Sequence, residues 1–355
     1  MYGLKKTACF AVFFCLAFCA FAEGKPEESP KRIIKIASIA PRRSPWDIEQ
    51  SKMAEEWTKI SGNRIELQFL ATTALGGEGA VIQKLRAVRP GQQPPLEGAV
   101  FTNLGIYELA PESQVLSFCI PFLFRNQAEV NYVFNALFGE VQSAIKAKGY
   151  ELLGWFSCGW IYVATKESAE TPEKLKNLRI AMGGFGSEEI TSAFRLVGFK
   201  AENIASDKIA QSLKSPGGIQ GIYTIPMYTY ATQYHKSLPY ILDVPLCPMF
   251  TAFVLSEKTW ASIPEEYKDR FLEEVRKSMD VFIKTQDSID RQYLELMQNE
   301  GVTLIKLSAA ERAHWEQVLT GDAQKMIESG NTIFNQDFYN RITALLEEYR
   351  AAHKD

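Results

Sequence analysis

The sequence predicts an α/β protein, and three observations support this fold class. Strand and helix patterns alternate from residue 33 onward, and a similar alternation begins again near residue 160. Such alternation is typical of parallel sheets covered by helices. A helical pattern then continues over residues 264–300. At 1.5 Å per residue this helix would be about 55 Å long, which exceeds the core of one domain.

The elements follow from local patterns along the chain. The segment IIKIASIA is a strand pattern, and Trp46, Met53 and Trp57 then recur at helical spacing. In the helix at 264–300, Pro264 lies in the first turn and acidic residues stand near the positive end of the helix dipole. The sequence predicts strands at 33–40, 64–70, 99–103, 150–156, 160–165, 221–223 and 250–256, with a short strand around Ala181. It predicts helices at 46–60, 75–88, 128–148, 187–197 and 264–300, with a further helix start at Thr171-Pro172.

The N-terminal segment is typical of a secretory signal peptide. Two lysines precede an apolar run at residues 8–21, and small residues flank a cleavage point after Ala22. The run is shorter than the roughly 20 residues that span a bilayer. A lipoprotein signal acylated at Cys19 is the alternative, but the bulky Phe18 disfavours it. The sequence therefore predicts an exported, periplasmic protein with a disordered leader up to residue 32.

Composition excludes several functional classes. The 355-residue chain carries a formal net charge of only −3, so nothing indicates nucleic acid as a partner. Removal of the signal leaves Cys119, Cys158 and Cys247, an odd number without CxxC spacing, and buried small side chains are the favoured interpretation. The three histidines are far apart in sequence, so no metal site or cofactor is predicted. No nucleophile and base occur at a catalytic spacing.

Several stretches occur in the order found in one family. They are KIASIAP, EEWTKISGNRIEL, ALGGE, CIPFLFRN, TPEKLKNLRI, GGIQGIYTIP and SEKTWASIPEEYKDRF. With them, the chain resembles the solute receptors of tripartite ATP-independent periplasmic (TRAP) transporters over nearly all of its mature length. The resemblance implies a two-domain periplasmic binding protein fold with an inter-domain cleft and a long bridging helix. It also implies delivery to a TRAP permease, and it allows a periplasmic helical-repeat (TPR-like) partner.

The domain organisation follows from this resemblance. Residues 1–22 are the predicted signal peptide, and 23–32 the leader. The first predicted domain covers 33–155, to which about 240–262 returns. The second covers 156–239, with helices from about 285–350 packed on it, and the helix at 264–300 spans both.

The chain departs from the family pattern at three positions that are usually charged or strongly polar. Ala181 stands where relatives that carry organic acids have an arginine, whose planar fork binds a carboxylate. Ile161 replaces a second arginine, and Gln220 an aspartate. These changes predict a neutral or partly apolar ligand, because a buried carboxylate without a partner charge is costly.

The predicted ligand-binding residues lie at strand ends and in aromatic segments. They are Trp46, Phe101, Asn103, Phe156, Trp160, Tyr162, Ala181, Met182, Tyr223, Thr224 and Tyr228. The main alternative is an organic-acid receptor in which Arg42, Arg43 or Arg179 supplies the charge. Two others are a degenerate cleft in an interaction protein and a hydrolase on the same scaffold. Glu78 is placed either at the cleft or as an exposed acid in a first helical turn.

Overall fold

The structure is a computed structural model that describes residues 31–87, 94–182, 188–330 and 333–353. The predicted signal peptide and nearly all of the predicted leader lie outside these residues. So do most of the proline-rich loop and the glycine-rich segment after the short strand, at 88–93 and 183–187.

Strands and helices alternate along the described chain, as predicted. The strands are β1 (Arg32–Ser38), β2 (Ile65–Ala71), β3 (Gly98–Thr102), β4 (Tyr150–Thr165), β5 (Arg179–Met182), β6 (Lys200–Glu202), β7 (Gly221–Thr224), β8 (Tyr240–Leu242), β9 (Cys247–Ser256) and β10 (Thr303–Ile305). The α-helices are α1 (Pro45–Ile60), α2 (Glu78–Arg86), α3 (Asn103–Leu109), α4 (Gln127–Lys146), α5 (Pro172–Lys176), α6 (Glu188–Leu196), α7 (Ile209–Lys214), α8 (Pro226–Ala231), α9 (Glu257–Ala261), α10 (Glu265–Asn299), α11 (Ala309–Glu328) and α12 (Gln336–Ala352).

One mixed sheet carries the fold. Its strand order is β2-β1-β3-β9-β4-β7-β5-β6, with β8 between β4 and β10 at one side. Strands β1, β2 and β3 are mutually parallel, and so are β5, β6 and β7. Strands β4 and β9 are antiparallel to each other and lie between these two parallel groups. The sheet is therefore mixed rather than purely parallel, because two strands cross from one group to the other.

Strand β4 is a single strand of 16 residues where the sequence predicts two. It pairs with β9 along residues 150–161 and with β7 along 162–165, so it belongs to both halves of the sheet. Its register shifts between Leu152 and Gly154 and again between Ser157 and Gly159. Bulges of this kind bend a strand while its pairing continues. Gly159, at φ +113°, permits the second bulge.

The long helix α10, with 35 residues, lies directly against β4. Two glycines, Gly154 and Gly159, permit this approach. A Cβ on Gly154 would lie 2.3 Å from Cγ1 of Val275, and a Cβ on Gly159 would lie 2.6 Å from Oδ1 of Asp290. At the second bulge the buried Asp290 of α10 accepts a hydrogen bond of 2.8 Å from the Trp160 N–H. The helix also packs on α1 and α8, one near each parallel group. The predicted bridging helix is confirmed, whereas the exact domain boundaries stay a prediction.

The C-terminal helix α12 returns to α4 through one buried ion pair. Glu129 is buried, and Arg350 donates from Nε and Nη2 to its two carboxylate oxygens at 2.7 and 2.8 Å. The same guanidinium donates to the Leu123 carbonyl at 3.0 Å. Burial opposes ionisation of Glu129, but the hydrogen bonds from Arg350 and from the Arg125 N–H lower the pKa of that carboxyl on balance. The pair therefore fixes the C-terminal helix on α4.

Candidate functional site

The carboxyl ends of the parallel strands face one another between the two halves of the sheet. Strands β1, β2 and β3 end at Ser38, Ala71 and Thr102, and strands β5 and β7 end at Met182 and Thr224. In open α/β sheets, ligands bind outside the carboxyl ends of the strands. Two adjoining cavities lie at this edge and share Thr102, Thr224 and Met249 in their walls.

The larger cavity, here called the polar compartment, has a volume of about 300 Å³. Eight of its fifteen lining residues carry a hydroxyl group, and they come from both parallel groups and from α8. The hydroxyl-bearing residues are Ser38, Thr72, Thr73, Thr102, Ser206, Thr224, Tyr228 and Thr232. Arg42, in the turn after β1, is exposed at the same cavity and forms no ion pair with a described residue. Such a wall can bind oxygen-rich solutes and places one cation near them.

Glu78 supplies a buried carboxyl to the polar compartment. It begins α2, and its two oxygens accept hydrogen bonds from the Thr102 N–H at 2.7 Å and the Thr102 hydroxyl at 2.8 Å. Gly105 leaves it room, since a Cβ there would lie 2.4 Å from Oε1 of Glu78. Burial, opposed by the two hydrogen bonds, raises the pKa of this carboxyl to about 7. Of its two predicted placements, the structure shows the one at the cleft.

This raised pKa predicts a pH-dependent stability. Between the ordinary value of 4.5 and about 7, the folded state holds a proton that the unfolded state releases, so stability falls as the pH rises through this range. Glu78→Gln does not ionise. We expect it to exceed the wild type in free energy of unfolding by on the order of 3 kcal/mol above pH 7, with no difference below pH 4.5.

Urea unfolding at pH 4.5 and pH 8 measures this difference. Glu55→Gln, at an exposed position of α1, is the matched control and should show no pH-dependent change. A difference between Glu78→Gln and the wild type that is the same at both pH values would contradict the assignment.

The second cavity, here called the apolar compartment, has a volume of about 80 Å³. Its wall is formed almost entirely by hydrocarbon, aromatic and sulfur-containing side chains from both parallel groups and from the segment before α12. Besides Thr102 and Thr224, the lining residues are Asn103, Leu104, Leu116, Cys119, Ile161, Met182, Ile190, Phe194, Tyr223, Met249, Ile333 and Phe334. No charged residue is among them. This compartment therefore fits an apolar part of a ligand.

Five of the predicted binding residues line the two compartments. Asn103, Met182 and Tyr223 lie in the apolar compartment, Tyr228 lies in the polar one, and Thr224 lies in both. Asn103 is the first residue of α3 rather than a strand end, because the Thr102 hydroxyl accepts the capping bond from the Gly105 N–H. Ligand contact by these five residues stays a prediction.

The other six predicted residues lie elsewhere. Trp46 and Phe156 line a separate cavity of about 30 Å³ beside Phe282 of α10. The side chains of four residues pack in the hydrophobic core and line neither compartment: Phe101, Trp160, Tyr162 and Ala181.

Ala181 lies one residue inside the end of β5, paired with Ile222 and Glu202. Its neighbour Met182 provides the side chain at the cavity instead. Arg179 lies two residues further back, with its guanidinium 3.8 Å from the position a Cβ would take on Gly217, and it lines neither compartment. Among the three arginines considered from the sequence, only Arg42 lines a compartment.

Some lining residues have no local sequence signal. The local pattern predicts ordinary core positions for four of them: Leu116, Phe194, Met249 and Phe334. Ser206 reaches the polar compartment from the turn after β6. Only the pairing of distant segments brings these side chains together.

Neither a grouped set of metal ligands nor a membrane-spanning helix occurs among the described residues. Within residues 31–87, 94–182, 188–330 and 333–353, no three His, Cys, Asp or Glu side chains are grouped to hold a metal ion. His235 instead stacks on Tyr230 and bonds through Nε2 to Glu300 at 2.9 Å. No helix in this part of the chain is long and apolar enough to cross a membrane.

Comparison with known proteins gives one consistent result. Residues 36–330 match the family DctP, described as bacterial extracellular solute-binding protein, family 7. The C4-dicarboxylate-binding periplasmic protein DctP of Rhodobacter capsulatus is 19% identical over 300 residues, which is 83% of this chain and 86% of that protein.

Two solved structures with bound acids share the fold. The sugar acid binding protein DctPAm of Advenella mimigardefordensis, in complex with galactonate, has a TM-score of 0.78 at 17% identity and covers 90% of this chain and 98% of its own. A TRAP periplasmic solute-binding protein of Sulfurospirillum deleyianum with bound succinate has a TM-score of 0.76 at 15% identity, covering 88% and 98%. The fold is thus that of the two-domain TRAP periplasmic binding proteins.

Proposed function

The chain belongs to family 7 of the bacterial extracellular solute-binding proteins, the periplasmic receptors of TRAP transporters, and from this premise we propose its solute class and binding site. The solute is a small organic acid that bears hydroxyl groups. Its carboxylate pairs with Arg42, its hydroxyls face the polar compartment, and its carbon skeleton extends into the apolar compartment. The protein releases this solute to a TRAP permease.

The observation that carries the proposal is the contiguity of the two compartments. Eight hydroxyl-bearing residues and Arg42, which forms no ion pair with a described residue, lie in the first wall. Mostly apolar side chains line the second, and three residues belong to both walls. An exposed arginine without an ion pair is free to bind a carboxylate through two parallel hydrogen bonds. Residues of both parallel groups line each wall, so a bound solute stabilises the closed arrangement.

The relatives favour an acid over the neutral ligand that the sequence predicts. The names of three relatives mention C4-dicarboxylate, galactonate and succinate, all of which are acids. The neutral ligand stays as a second candidate, because Ala181 and Ile161 stand at positions where the family resemblance implies an arginine in acid-binding members. A periplasmic helical-repeat partner stays a prediction. We also infer that the protein performs no catalysis, which recovery of unchanged solute after incubation would test.

The test compares two adjacent arginines. Arg42 lines the polar compartment, whereas Arg43 does not. Small molecules extracted from the natively purified protein are identified by mass spectrometry, and their affinities are measured by calorimetry. Galactonate and succinate serve as probes as well. We expect Arg42→Ala to weaken acid binding by about 10- to 100-fold, the effect of losing one charge-assisted contact.

Arg43→Ala is the matched control and should bind as the wild type does. Equal affinity of the wild type and Arg42→Ala for the bound acid would remove Arg42 from the site. A neutral molecule recovered at one equivalent per chain would establish the second candidate instead.

A further inference from the structure

Another cavity, here called the α4–α10 cavity, is separate from the two compartments of the cleft. Its walls come from α4, α10 and β4, with one residue each from β9 and α9. Its volume is about 420 Å³, which lies within the range of small-molecule pockets. It shares no lining residue with the polar or the apolar compartment. A molecule in this cavity would therefore occupy a second site rather than an extension of the cleft.

Three buried aromatic rings from different elements line this cavity together. Phe134 of α4 and Trp155 of β4 stack with their ring centroids 4.5 Å apart and their planes 17° from parallel. Phe250 of β9 packs on both, with centroid distances of 5.1 Å to Trp155 and 5.7 Å to Phe134. A further aromatic ring packs favourably against such a surface, through its apolar area and its quadrupole. The wall therefore fits a flat apolar ring.

One face of α10 supplies the opposite wall. Leu272, Arg276, Met279 and Ile283 line the cavity, and they follow one another at spacings of four, three and four residues. Residues at this spacing lie on the same face of a helix. Three of them are apolar, and Ile283 is 39% exposed although its side chain is large and hydrophobic. Arg276 is thus a single cation within an apolar stripe.

The charge of Arg276 is not compensated within the cavity. Arg276 is exposed and forms no ion pair with a described residue. The cavity's other charged lining residue, Glu151, already pairs with Lys146 at 2.8 Å. A guanidinium binds a carboxylate through two parallel hydrogen bonds. The cavity therefore combines an aromatic surface with one cation that is available to an anionic ligand.

We propose that the α4–α10 cavity is a second ligand-binding site, and that it takes a small carboxylic acid with an aromatic ring. The ring packs on Phe134 and Trp155, and the carboxylate pairs with Arg276. Because both helices line the cavity, the bound acid contacts α4 and α10 at once. It lies beside the first bulge of β4, since Leu152 and Gly154 line the same cavity.

Titration with a matched pair of probes tests this site. The mature protein, freed of solute, is titrated with 3-phenylpropionate and with 3-phenylpropan-1-ol, which has the same ring without the charge. Calorimetry measures the affinity, and intrinsic fluorescence reports the location because Trp155 and Trp260 line the cavity. We expect the acid to bind about 10-fold more tightly than the alcohol, the effect of one charge-assisted contact. Arg276→Ala should remove this difference by weakening the acid alone.

Two control variants distinguish this site from surface charge and from the cleft. Lys277 is the adjacent cation on α10, but it pairs with Glu273 and Glu274 and does not line the cavity. Lys277→Ala should bind the acid as the wild type does. Arg42→Ala, altered in the polar compartment, should also bind it normally.

Three outcomes would overturn the proposal. They are no binding of the acid to the wild type, unchanged affinity in Arg276→Ala, and a loss in Arg42→Ala alone, which would place the acid in the cleft. Sedimentation of the same samples should show a monomer, and a dimer that Arg276→Ala dissociates would assign the cavity to a second copy of the chain instead. The probes need no knowledge of the transported solute, so the result is independent of the proposed solute class.

Discussion

Gly159→Ala is expected to lower the free energy of unfolding by about 3 kcal/mol, because two costs combine at this residue. An L side chain is strained at φ +113°. Its Cβ would also lie 2.5 Å from Nε2 of Gln286 and 2.6 Å from Oδ1 of Asp290, both buried on α10. Displacing Asp290 removes its hydrogen bond to the Trp160 N–H, which joins the long helix to the crossing strand. Chemical denaturation measures the loss.

Gly139→Ala is the control for this experiment. Gly139 lies in the interior of α4, and a Cβ there would meet nothing within 4 Å. Alanine in a helix interior is better than glycine by about 0.5–1 kcal/mol, so this variant should be slightly more stable than the wild type. If both variants changed stability in the same direction, the close packing of α10 on the second bulge of β4 would be wrong.

Arg350→Met is expected to lower the free energy of unfolding by about 3 kcal/mol. The substitution keeps most of the side-chain volume but leaves the carboxylate of Glu129 buried without its cation. Breaking a buried pair by removal of one partner typically costs 3–5 kcal/mol, and the partial exposure of Arg350 places this case at the lower end. The same denaturation assay at pH 7 measures it.

A second ion pair on α12 distinguishes the effect of burial from the effect of charge alone. Arg341 and Glu140 also form an ion pair, but about half of each side chain is exposed, so Arg341→Met should lower the free energy of unfolding by less than 1 kcal/mol.

The lowered pKa of Glu129 means that its pair with Arg350 stabilises the fold at neutral pH and that this contribution is lost in acid. The difference between Arg350→Met and the wild type should thus shrink as Glu129 becomes protonated. A double variant with Glu129→Gln should recover part of the loss, and no recovery would contradict the buried-charge explanation.

Local patterns predict much of this fold because they depend on near neighbours in the chain. The alternation in β1 and the helical spacing in α1 and α10 are properties of single segments. Strand β4 is different. Its two bulges interrupt the alternation, and Gly159 resembles a break between two strands. Continuity of β4 depends on its partner β9, about 90 positions later, which no local pattern contains.

The candidate site shows the same limit. The family resemblance and position at strand ends direct attention to Met182, Tyr223 and Thr224, and these line the compartments. Neither signal predicts which face of β4 is directed to the cavity. In the structure, Trp160 and Tyr162 lie in the core, whereas Ile161 between them lines the apolar compartment. A change of one position in register reverses the face of a strand. No local pattern predicts Phe334 at the cleft, because its position there depends on the path of the whole C-terminal segment.

The two long antiparallel strands β4 and β9 form a narrow ribbon between the two parallel groups. A two-stranded ribbon has little resistance to torsion about its long axis, whereas stretching it would break its ladder of hydrogen bonds. We expect the opening motion to be mainly a twist of this ribbon, with the bulge at Gly159 as its most compliant point. The helix α10 packs along the same ribbon, and we expect its rigidity to limit the amplitude of this twist. The resting width of the cleft would then depend on the stiffness of this ribbon and of α10 as well as on the residues that line the two compartments.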